Sequence, residues 1–482
     1  MRERGKLPTL SDEYAGADLG DPRRVARACR IAEAAARKPG EALPKQAGGD
    51  AALEATYRFL NNEQVSADAL LAAHASCTVA RATEAGDVLV IHDTSAFEFG
   101  GESSREGLGP IQSPDTQGFL SHASLCVTRD GRPLGVLGLY SWARPVGKRK
   151  GKRSQQVSQY DPDREFLRWA DAVHATAELL HGHANAIHVM DREGDCAELV
   201  ADLLEHGYRF VIRLAHDRRL QPGRETDDVE KLYDAIASAP VVLQRKVPLS
   251  RRTNKARTHA PRQIKRFPAR EARNATLSVR AQTLTIFPGQ GAVAHLPQAL
   301  QLNFVEVREV DPPEGEEPIL WRLMTTEPIA TADDVGAIID NYCRRWIIEE
   351  FFKALKTGCK FEKLQLESGA ALMRALAIYA SVAWRLLVIR WMDRNLPDAP
   401  ATAVLSVTQL LVLGAVMQER KRPLPAEPTA HDVLMAIAAL GGHLKRNGPP
   451  GWLLLGDGFR TLLVLEQGWL AAAQLFARQA DL

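Results

Sequence analysis

The spacing of apolar residues predicts helices at both ends of the chain. Near the N-terminus, Asp21-Pro22 is typical of a helix cap followed by proline at the first helical position, and apolar residues then recur at helical spacing among arginines. Further helices are predicted near 50–61 and 66–84. From residue 332 onward almost the whole pattern is helical, and no internal repeat is detectable.

The pattern between these helical regions predicts strands. Short apolar runs typical of buried strands lie at 87–95, 122–129, 133–143, 186–191 and 208–214, with a helix predicted at about 162–181. Four more strand-like runs follow between 225 and 325, and a very basic stretch lies among them at 251–273. The mixture predicts an α/β protein with a β-rich insertion that carries a basic loop.

Length and composition are those of a globular protein with several domains. The chain has 482 residues, of which 45% are hydrophobic and 25% charged, so two to four domains are expected. Lys plus Arg number 61 against 59 for Asp plus Glu, which gives a formal net charge of +2. Net charge therefore neither supports nor excludes nucleic-acid binding, and a DNA-binding protein of this balance must segregate its basic residues into patches.

Cysteine spacing and terminal sequence limit the cellular setting. No two of the six cysteines have C-x-x-C spacing, so a zinc ribbon is not expected and reduced thiols are. The N-terminal residues lack the apolar core of a signal peptide, and no run approaches the ~20 unbroken apolar residues of a membrane helix. We expect a soluble, cytoplasmic protein without a membrane partner.

Two aspartates end predicted strands, where active sites form in α/β sheets. Asp93 closes the run DVLVIHD, and Asp191 closes AIHVMD. Carboxylates gathered from different elements repel each other unless cations neutralise them, and a pair of Mg²⁺ ions about 3.5–4 Å apart also supports phosphoryl transfer. For each aspartate alone, a strand-end or helix-capping role stays open.

A helix predicted around Glu349 has two different faces. At about 100° per residue, five polar side chains fall within an arc of about 80°, namely Tyr342, Arg345, Glu349, Lys353 and Lys356. Apolar residues lie opposite them. The polar face would suit a phosphodiester, with the carboxylate on metal and the cations on phosphates. The alternative is a solvated helix with salt bridges between residues four apart.

The spacing of Tyr342, Arg345, Glu349 and Lys356 resembles the Y-R-E-K signature of bacterial cut-and-paste DDE transposases of the insertion-sequence-four group. The best-known member of that group is the transposase of transposon five. Segments similar to the family's occur in family order along nearly the whole chain: LGDPRR (19–24), YRFLNN (57–62), IHDTS (91–95), DREGD (191–195), FVIR (210–213), LWRLMTTEP (320–328), RRWIIEEFFKALKTG (344–358) and LGGHLKR (440–446).

The resemblance implies an RNase H-like mixed-sheet core in which two aspartates and one glutamate hold two divalent metal ions. By position these catalytic and metal-binding residues are Asp93, Asp191 and Glu349, with Mg²⁺ as the expected ion and Mn²⁺ able to replace it. The expected domains are an N-terminal helical DNA-binding domain at 1–82, the catalytic core at 83–366 with its β-rich insertion at about 220–325, and a C-terminal helical dimerisation domain at 367–482.

The resemblance also implies DNA contacts. Trp321 is similar in context to a tryptophan that stacks on a flipped base, and Arg213 matches a position near the scissile end. The basic and phenolic residues of the Glu349 helix, Tyr342, Arg345, Lys353 and Lys356, would hold phosphates. In the N-terminal domain the candidates are Arg23, Arg24, Arg27 and Arg58. A buried structural tryptophan and solvated or salt-bridged arginines are the alternatives.

The expected activity is cleavage of double-stranded DNA at transposon terminal inverted repeats through a hairpin, followed by joining of the 3′-OH ends to target DNA. Pairing of two ends implies a homodimer. Two departures from the family, Gly118-Phe119-Leu120 in place of a Gly-Trp-Trp segment and the basic inserts at 148–153 and 251–273, leave the DNA path open. The alternatives are another RNase H-like nuclease or integrase, a catalytically silent DNA-binding regulator, and a structural interaction protein.

Overall fold

The structure, a computed structural model, describes residues 9–100, 104–111, 116–145, 167–222, 230–252, 269–287, 297–444 and 450–480. The basic segment at 148–153 and most of that at 251–273 lie outside this part of the chain. The described residues form two compact units. The first comprises those of Met1–Gly151, Asp171–Ala186 and Arg344–Leu482, and the second those of Lys152–Ala170 and Ile187–Cys343.

The first unit begins with helices, as the sequence predicts. They are α1 (Leu10–Tyr14), α2 (Pro22–Arg37), α3 (Leu43–Ala47), α4 (Asp50–Leu60) and α5 (Ala67–Ala85). The carboxylate of Asp21 accepts the backbone N–H of Arg23 at 2.8 Å, and Pro22 occupies the first position of α2. The predicted cap is therefore confirmed.

Antiparallel strands follow in the same unit: β1 (Asp87–Phe99), β2 (Gly109–Pro110), β3 (Gln117–Thr128) and β4 (Pro133–Trp142). Strand β3 pairs with β1 and with β4, and the short β2 pairs with its first residues. The prediction that a strand ends at Asp93 is wrong. Strand β1 continues to Phe99, because its second half stays paired with β3 and buries Phe97 and Phe99.

Two elements, α6 (Leu167–Leu180) and β5 (Asn185–Met190), lead into the second unit. It contains a 3-10 turn (Arg192–Gly194), α7 (Ala197–Glu205), β6 (Arg209–Arg213), α8 (Leu232–Ser238), β7 (Val241–Leu249), β8 (Arg273–Ile286), β9 (Leu300–Val310), β10 (Leu320–Thr325) and α9 (Ala332–Cys343). Strands β5 and β6 are parallel, whereas β7 to β10 follow one another antiparallel and β10 also pairs with β6. The predicted β-rich insertion is therefore present.

The C-terminal part of the first unit is helical. It contains α10 (Trp346–Lys353), a π-helical turn (Ala354–Gly358), two 3-10 turns (Phe361–Lys363 and Ala401–Ala403), α11 (Gly369–Asn395), α12 (Val407–Glu419), α13 (Ala430–Leu440) and α14 (Trp452–Ala480). Helix α11 is long and apolar enough to cross a membrane, but 78% of its most apolar window is buried inside the protein, as in the core helix of a globular domain.

A buried network of Glu13, His74 and Arg81, here called the Glu13 network, joins the N-terminal helices to β4 and α11. The Nδ1 atom of His74 lies 2.5 Å from Glu13, and Nε2 of His74 accepts the backbone N–H of Val136 at 3.1 Å, so Nδ1 carries the proton. Arg81 donates to both Glu13 oxygens at 2.7 and 3.1 Å, and its guanidinium lies 4.3 Å from the ring of Trp384. Burial would raise the pKa of Glu13, but the hydrogen bonds from His74 and Arg81 together lower it to about 2.

The continuous helix predicted around Glu349 is interrupted. Helix α9 ends at Cys343, α10 begins at Trp346, and the π-helical turn from Ala354 shifts the angular position of Lys356. The prediction that all five polar residues share one helix face is therefore wrong. The predicted class is confirmed: a mixed α/β protein with mostly antiparallel strands, consistent with an RNase H-like core, with helices before and after it.

Candidate active site

Asp93 and Glu349 lie around one guanidinium in the first unit. Arg345, at the N-terminal end of α10, donates from Nη2 to Glu349 at 2.5 Å, and its Nη1 lies 3.7 Å from Asp93. These side chains are only partly accessible, with exposed fractions of 14% for Arg345, 17% for Asp93 and 30% for Glu349. Residues from a central strand and from a helix far along the chain therefore converge on a partly open, charged site.

Lys356 lies beside the second half of β1. Its ammonium group donates to the backbone carbonyl of Ala96, lies 3.6 Å from Glu362 and is 5.1 Å from the ring of Phe97. The structure therefore brings Lys356 into the same unit as Asp93 and Glu349, and gives it partners on the strand that carries Asp93. The position of the Lys356 ammonium group is therefore determined by its contacts with β1.

Trp346 is an exposed aromatic residue that the sequence reasoning missed. Its side chain is 53% exposed, and the ammonium of Lys353 lies 5.4 Å from its ring. A signal was present in the sequence, because a residue directly after Arg345 falls on the polar side of a helix with about 100° per residue. An exposed aromatic ring next to a cation is suited to contact with a nucleobase.

Asp191 lies directly after β5 in the second unit, as predicted. Its Oδ1 accepts the backbone N–H of Glu193 at 2.8 Å and so caps the 3-10 turn. Within the segment DREGD (191–195), Asp191 is partly exposed whereas Asp195 is buried. The carboxylate of Asp191 thus keeps accessible oxygen while the turn fixes its backbone.

Trp321, Tyr342 and Arg213 form a second group in that unit. The rings of Trp321 and Tyr342 meet edge to face at 5.6 Å, and the guanidinium of Arg213 lies 6.0 Å from the Trp321 ring. Tyr342 is only 4% exposed, so the expectation of an accessible phenol on a polar helix face is not met. Its ring instead supports Trp321, which is partly exposed.

The N-terminal arginines have different surroundings. Arg27 lines a cleft of about 380 Å³ together with Arg30, Arg37 and Lys38. The other candidates are bonded locally: Arg23 to Asp21, Arg24 to the carbonyl of Leu19 and to Gln64, and Arg58 to Glu54. Of the four candidates, Arg27 is the one that lines the cleft. Arg30, Arg37 and Lys38, which the sequence analysis did not select, line it as well.

The carboxylates fit a hard divalent cation. Asp93 and Glu349 present oxygen atoms to one positive group, and oxygen is the donor that Mg²⁺ and Mn²⁺ prefer. The thiols of Cys126 and Cys359 are buried. A soft-metal site is therefore not the chemistry that this donor set favours.

Two family models match the chain. The transposase DNA-binding model matches residues 9–65, which cover α1 to α4. The transposase DDE domain model matches residues 168–384, which include Asp191 and Glu349, whereas Asp93 lies between the two matched ranges. Domains of the second kind normally use divalent metal ions to cleave and transfer DNA strands. A transposase DNA-binding domain followed by a transposase DDE domain thus supports a DDE-type transposase.

Proposed function

We propose that the chain cleaves transposon terminal inverted repeats and joins the freed 3′-OH ends to target DNA, with Asp93, Asp191 and Glu349 as the catalytic and metal-binding residues. The observation that carries the proposal is the convergence of Asp93 and Glu349 on Arg345, at 3.7 and 2.5 Å. Carboxylates from such distant positions need a common cation to stay close. The Y-R-E-K spacing supports, within this proposal, membership of the insertion-sequence-four subgroup.

Each residue has a separate task. Two Mg²⁺ ions, replaceable by Mn²⁺, would supply activation of the attacking oxygen and stabilisation of the leaving one. Arg345 and Lys356 hold phosphate oxygens of the transposon end, and Lys353 and Trp346 form an exposed cation–aromatic pair beside them. Trp321, supported by Tyr342 and next to Arg213, stacks on a base displaced from the duplex when a hairpin forms.

The N-terminal segment, proposed as residues 1–82, recognises the transposon ends. The cleft of Arg27, Arg30, Arg37 and Lys38 supports this role, because four cations around one recess attract phosphates. The proposed core then spans 83–366. DNA of both the transposon ends and the target is the partner, and the bacterial cytoplasm, at the nucleoid, is the proposed location.

The proposed C-terminal domain, 367–482, pairs two copies of the chain. Helix α14 leaves large apolar side chains exposed, which supports a dimer because contiguous exposed apolar surface marks interaction sites. They are Val464, Trp469, Leu470, Leu475 and Phe476. A homodimer would hold the two transposon ends that must be cut and joined together.

The test is a cleavage and strand-transfer assay with the purified chain, a duplex that carries the element's own terminal repeat, and Mg²⁺ or Mn²⁺. The decisive variant is Glu349→Gln, and Glu350→Gln is the matched control. Glu350 is the next residue along α10, but it forms ion pairs with Arg394 and Arg390 rather than with Arg345.

We expect nicked, hairpin and joined products from the wild type and from Glu350→Gln, and none from Glu349→Gln. Specific binding of the repeat without cleavage under either metal would overturn the proposal in favour of a DNA-binding regulator. Metal-dependent nicking without joined products would indicate a simple nuclease of the same fold. The two outcomes are read on one gel, since each product differs in length.

A further inference from the structure

The two aspartates of the motif Asp191-Arg192-Glu193-Gly194-Asp195 have different environments. Asp191 is partly exposed, whereas Asp195 is 3% exposed. The Oδ2 atom of Asp195 accepts the backbone N–H groups of Ala215 and His216 at 2.5 and 2.9 Å. Its Oδ1 lies 2.5 Å from the guanidinium of Arg218, whose side chain is 10% exposed. Asp195 is therefore held inside the protein by two hydrogen bonds to Oδ2 and by an ion pair at Oδ1.

These contacts join the segments that follow two neighbouring strands. Strands β5 and β6 are parallel, with Met190 opposite Ile212, so both chains leave the sheet at the same edge. Asp191 follows β5, and the segment 214–219 follows β6. Asp195 fastens the second segment to the turn that carries Asp191.

The turn itself has little freedom. A Cβ atom at Gly194 would lie 2.8 Å from the Cβ of Met190, so the turn packs directly against the end of β5. The carboxylate of Asp191 also caps this turn through Glu193. A displacement of Asp195 would therefore move the segment after β6 relative to Asp191 rather than be absorbed by the turn.

The segment after β6 leads to the groups proposed to contact DNA. Arg213 is the last residue of β6, and Leu214 donates its backbone N–H to the carbonyl of Arg322 at 2.8 Å, next to Trp321. Arg213 donates to the carbonyl of Leu320 at 3.4 Å and faces the Trp321 ring. The position of Arg213 and Trp321 relative to Asp191 thus depends on the contacts of Asp195.

We propose that Asp195 is a positioning residue for DNA strand cleavage and not a metal ligand. It fixes the positions of Arg213 and Trp321 relative to Asp191. It does so through its hydrogen bonds to the backbone N–H groups of Ala215 and His216 and through its buried ion pair with Arg218. This inference rests on the proposed function, because it assigns a role around the same site. The side chain of Asp195 is 0% exposed, with one oxygen on two backbone N–H groups and the other beside a guanidinium, so it presents no accessible oxygen to a metal ion.

The experiment compares Asp195→Asn, Arg218→Gln, Asp191→Asn and the control Asp217→Asn in the full chain. Asp217 is an exposed aspartate of the same segment, and it accepts the backbone N–H of Tyr233 at 2.9 Å. Four quantities are measured: kcat and KM for nicking of a terminal-repeat duplex, Tb³⁺ affinity by luminescence, and the melting temperature. Asp195→Asn is nearly isosteric, and Arg218→Gln breaks the ion pair without touching the aspartate.

We expect kcat to fall by about tenfold or more in Asp195→Asn and in Arg218→Gln, with KM changed by less than about threefold. Tb³⁺ affinity should stay within about threefold of wild type in both, and fall by about tenfold or more in Asp191→Asn. Asp217→Asn should match the wild type. The substitution Arg213→Gln should lower the nicking rate less in the Asp195→Asn background than in the wild-type background. The reason is that both substitutions disturb the same alignment.

Three results would overturn the proposal. Loss of Tb³⁺ affinity in Asp195→Asn equal to that in Asp191→Asn would make Asp195 a ligand. Wild-type kcat in Asp195→Asn, or full additivity with Arg213→Gln, would remove the positioning role. Failure of the proposed function is distinguishable, since the wild type itself would then nick no duplex, and the role of Asp195 would fall with it.

Discussion

Arg345 donates a hydrogen bond of 2.5 Å to Glu349 while its other terminal nitrogen lies 3.7 Å from Asp93. The guanidinium thus compensates two carboxylates that belong to elements far apart in sequence. The same oxygen atoms are the proposed metal ligands, so Arg345 and a divalent cation compete for them. If the proposed metal site is correct, Arg345 should influence metal binding as well as DNA contact.

Replacement of Arg345 should separate these two effects. We expect Arg345→Gln to bind Mn²⁺ about tenfold more tightly without DNA, equivalent to ~1.4 kcal/mol, because a competing positive charge is removed. Nicking should nevertheless slow by about tenfold or more, since a phosphate contact is lost. Calorimetric titration and the nicking assay measure the two. Arg344→Gln is the control, because Arg344 donates to the carbonyl of Arg129 instead. Weaker Mn²⁺ binding by Arg345→Gln would contradict the competition.

Trp321 should matter for the hairpin step and not for the first nick. We expect Trp321→Ala to lower the yield of hairpin product by about tenfold while first-strand nicking changes by less than about threefold, because stacking on a displaced base contributes ~1–3 kcal/mol. Trp321→Phe should retain most hairpin formation, since it keeps an aromatic face next to Arg213 and Tyr342. Equal loss of both products in Trp321→Ala would indicate a structural role for the ring.

The basic cleft predicts which N-terminal arginines bind DNA. Arg27→Gln and Arg30→Gln, both in the cleft, should each weaken repeat binding and reduce the slope of log K against log salt by about one. Arg23→Gln is the matched comparison, since Arg23 is highly exposed but pairs with Asp21 of its own helix cap. It should change the slope less than either cleft variant. Fluorescence anisotropy over a salt series measures this, and identical slopes for all three would remove the cleft as the binding surface.

The Glu13 network should make stability depend on pH. The folded-state pKa of Glu13 is about 2, below the ordinary 4.5, so its ionised form stabilises the fold above pH 4.5. That contribution, about 3 kcal/mol, is lost as pH falls from 4.5 towards 2. Glu13→Gln should therefore lower the melting temperature near pH 7, and its difference from wild type should shrink on acidification. Glu84→Gln, an exposed position on α5, should not alter the profile.

The apolar residues of α14 should control self-association. We expect the double substitution Trp469→Glu and Phe476→Glu to shift the chain from dimer to monomer, because charges on an interface formed by exposed apolar side chains oppose its burial. Light scattering after size exclusion measures the mass. Nicking by the monomer should fall together with joining, whereas binding of a single repeat should remain. An unchanged mass would place the dimer contact elsewhere.

Local sequence patterns predicted the elements that local chemistry controls. The cap at Asp21, the strand that ends at Met190 and the β-rich insertion are all present, because turn, cap and periodicity signals are contained within a few residues. The break after Cys343 was not predictable in this way. Neither glycine nor proline marks it, and the apolar period continues through it. Tertiary packing decides where α9 ends and therefore why Tyr342 is buried.

The candidate site was predictable only in part for a similar reason. The resemblance supplied Asp93, Asp191 and Glu349, but not the partners that orient them. Arg345 contacts Asp93, which lies far away in the sequence. Asp195 likewise contacts the segment after β6, which follows it by about 20 residues. Sequence spacing carries no direct signal of such contacts, because they depend on how strands and helices pack.

The Glu13 network limits how the N-terminal DNA-binding domain can be exchanged. Glu13 belongs to the segment that matches the DNA-binding model, residues 9–65. Its partners His74 and Arg81 contact Val136 of β4 and Trp384 of α11, which lie outside that segment. If the N-terminal helices of a homologue replaced those of this chain, the residue at the position of Glu13 would have to match His74 and Arg81 of this chain. A buried carboxylate without these partners would be destabilising. Chimeras built at this junction should therefore misassemble. Under the proposed recognition of terminal repeats, we expect new specificities to arise from substitutions on the exposed side of α2, which would change the proposed contacts with DNA and leave the buried attachment intact.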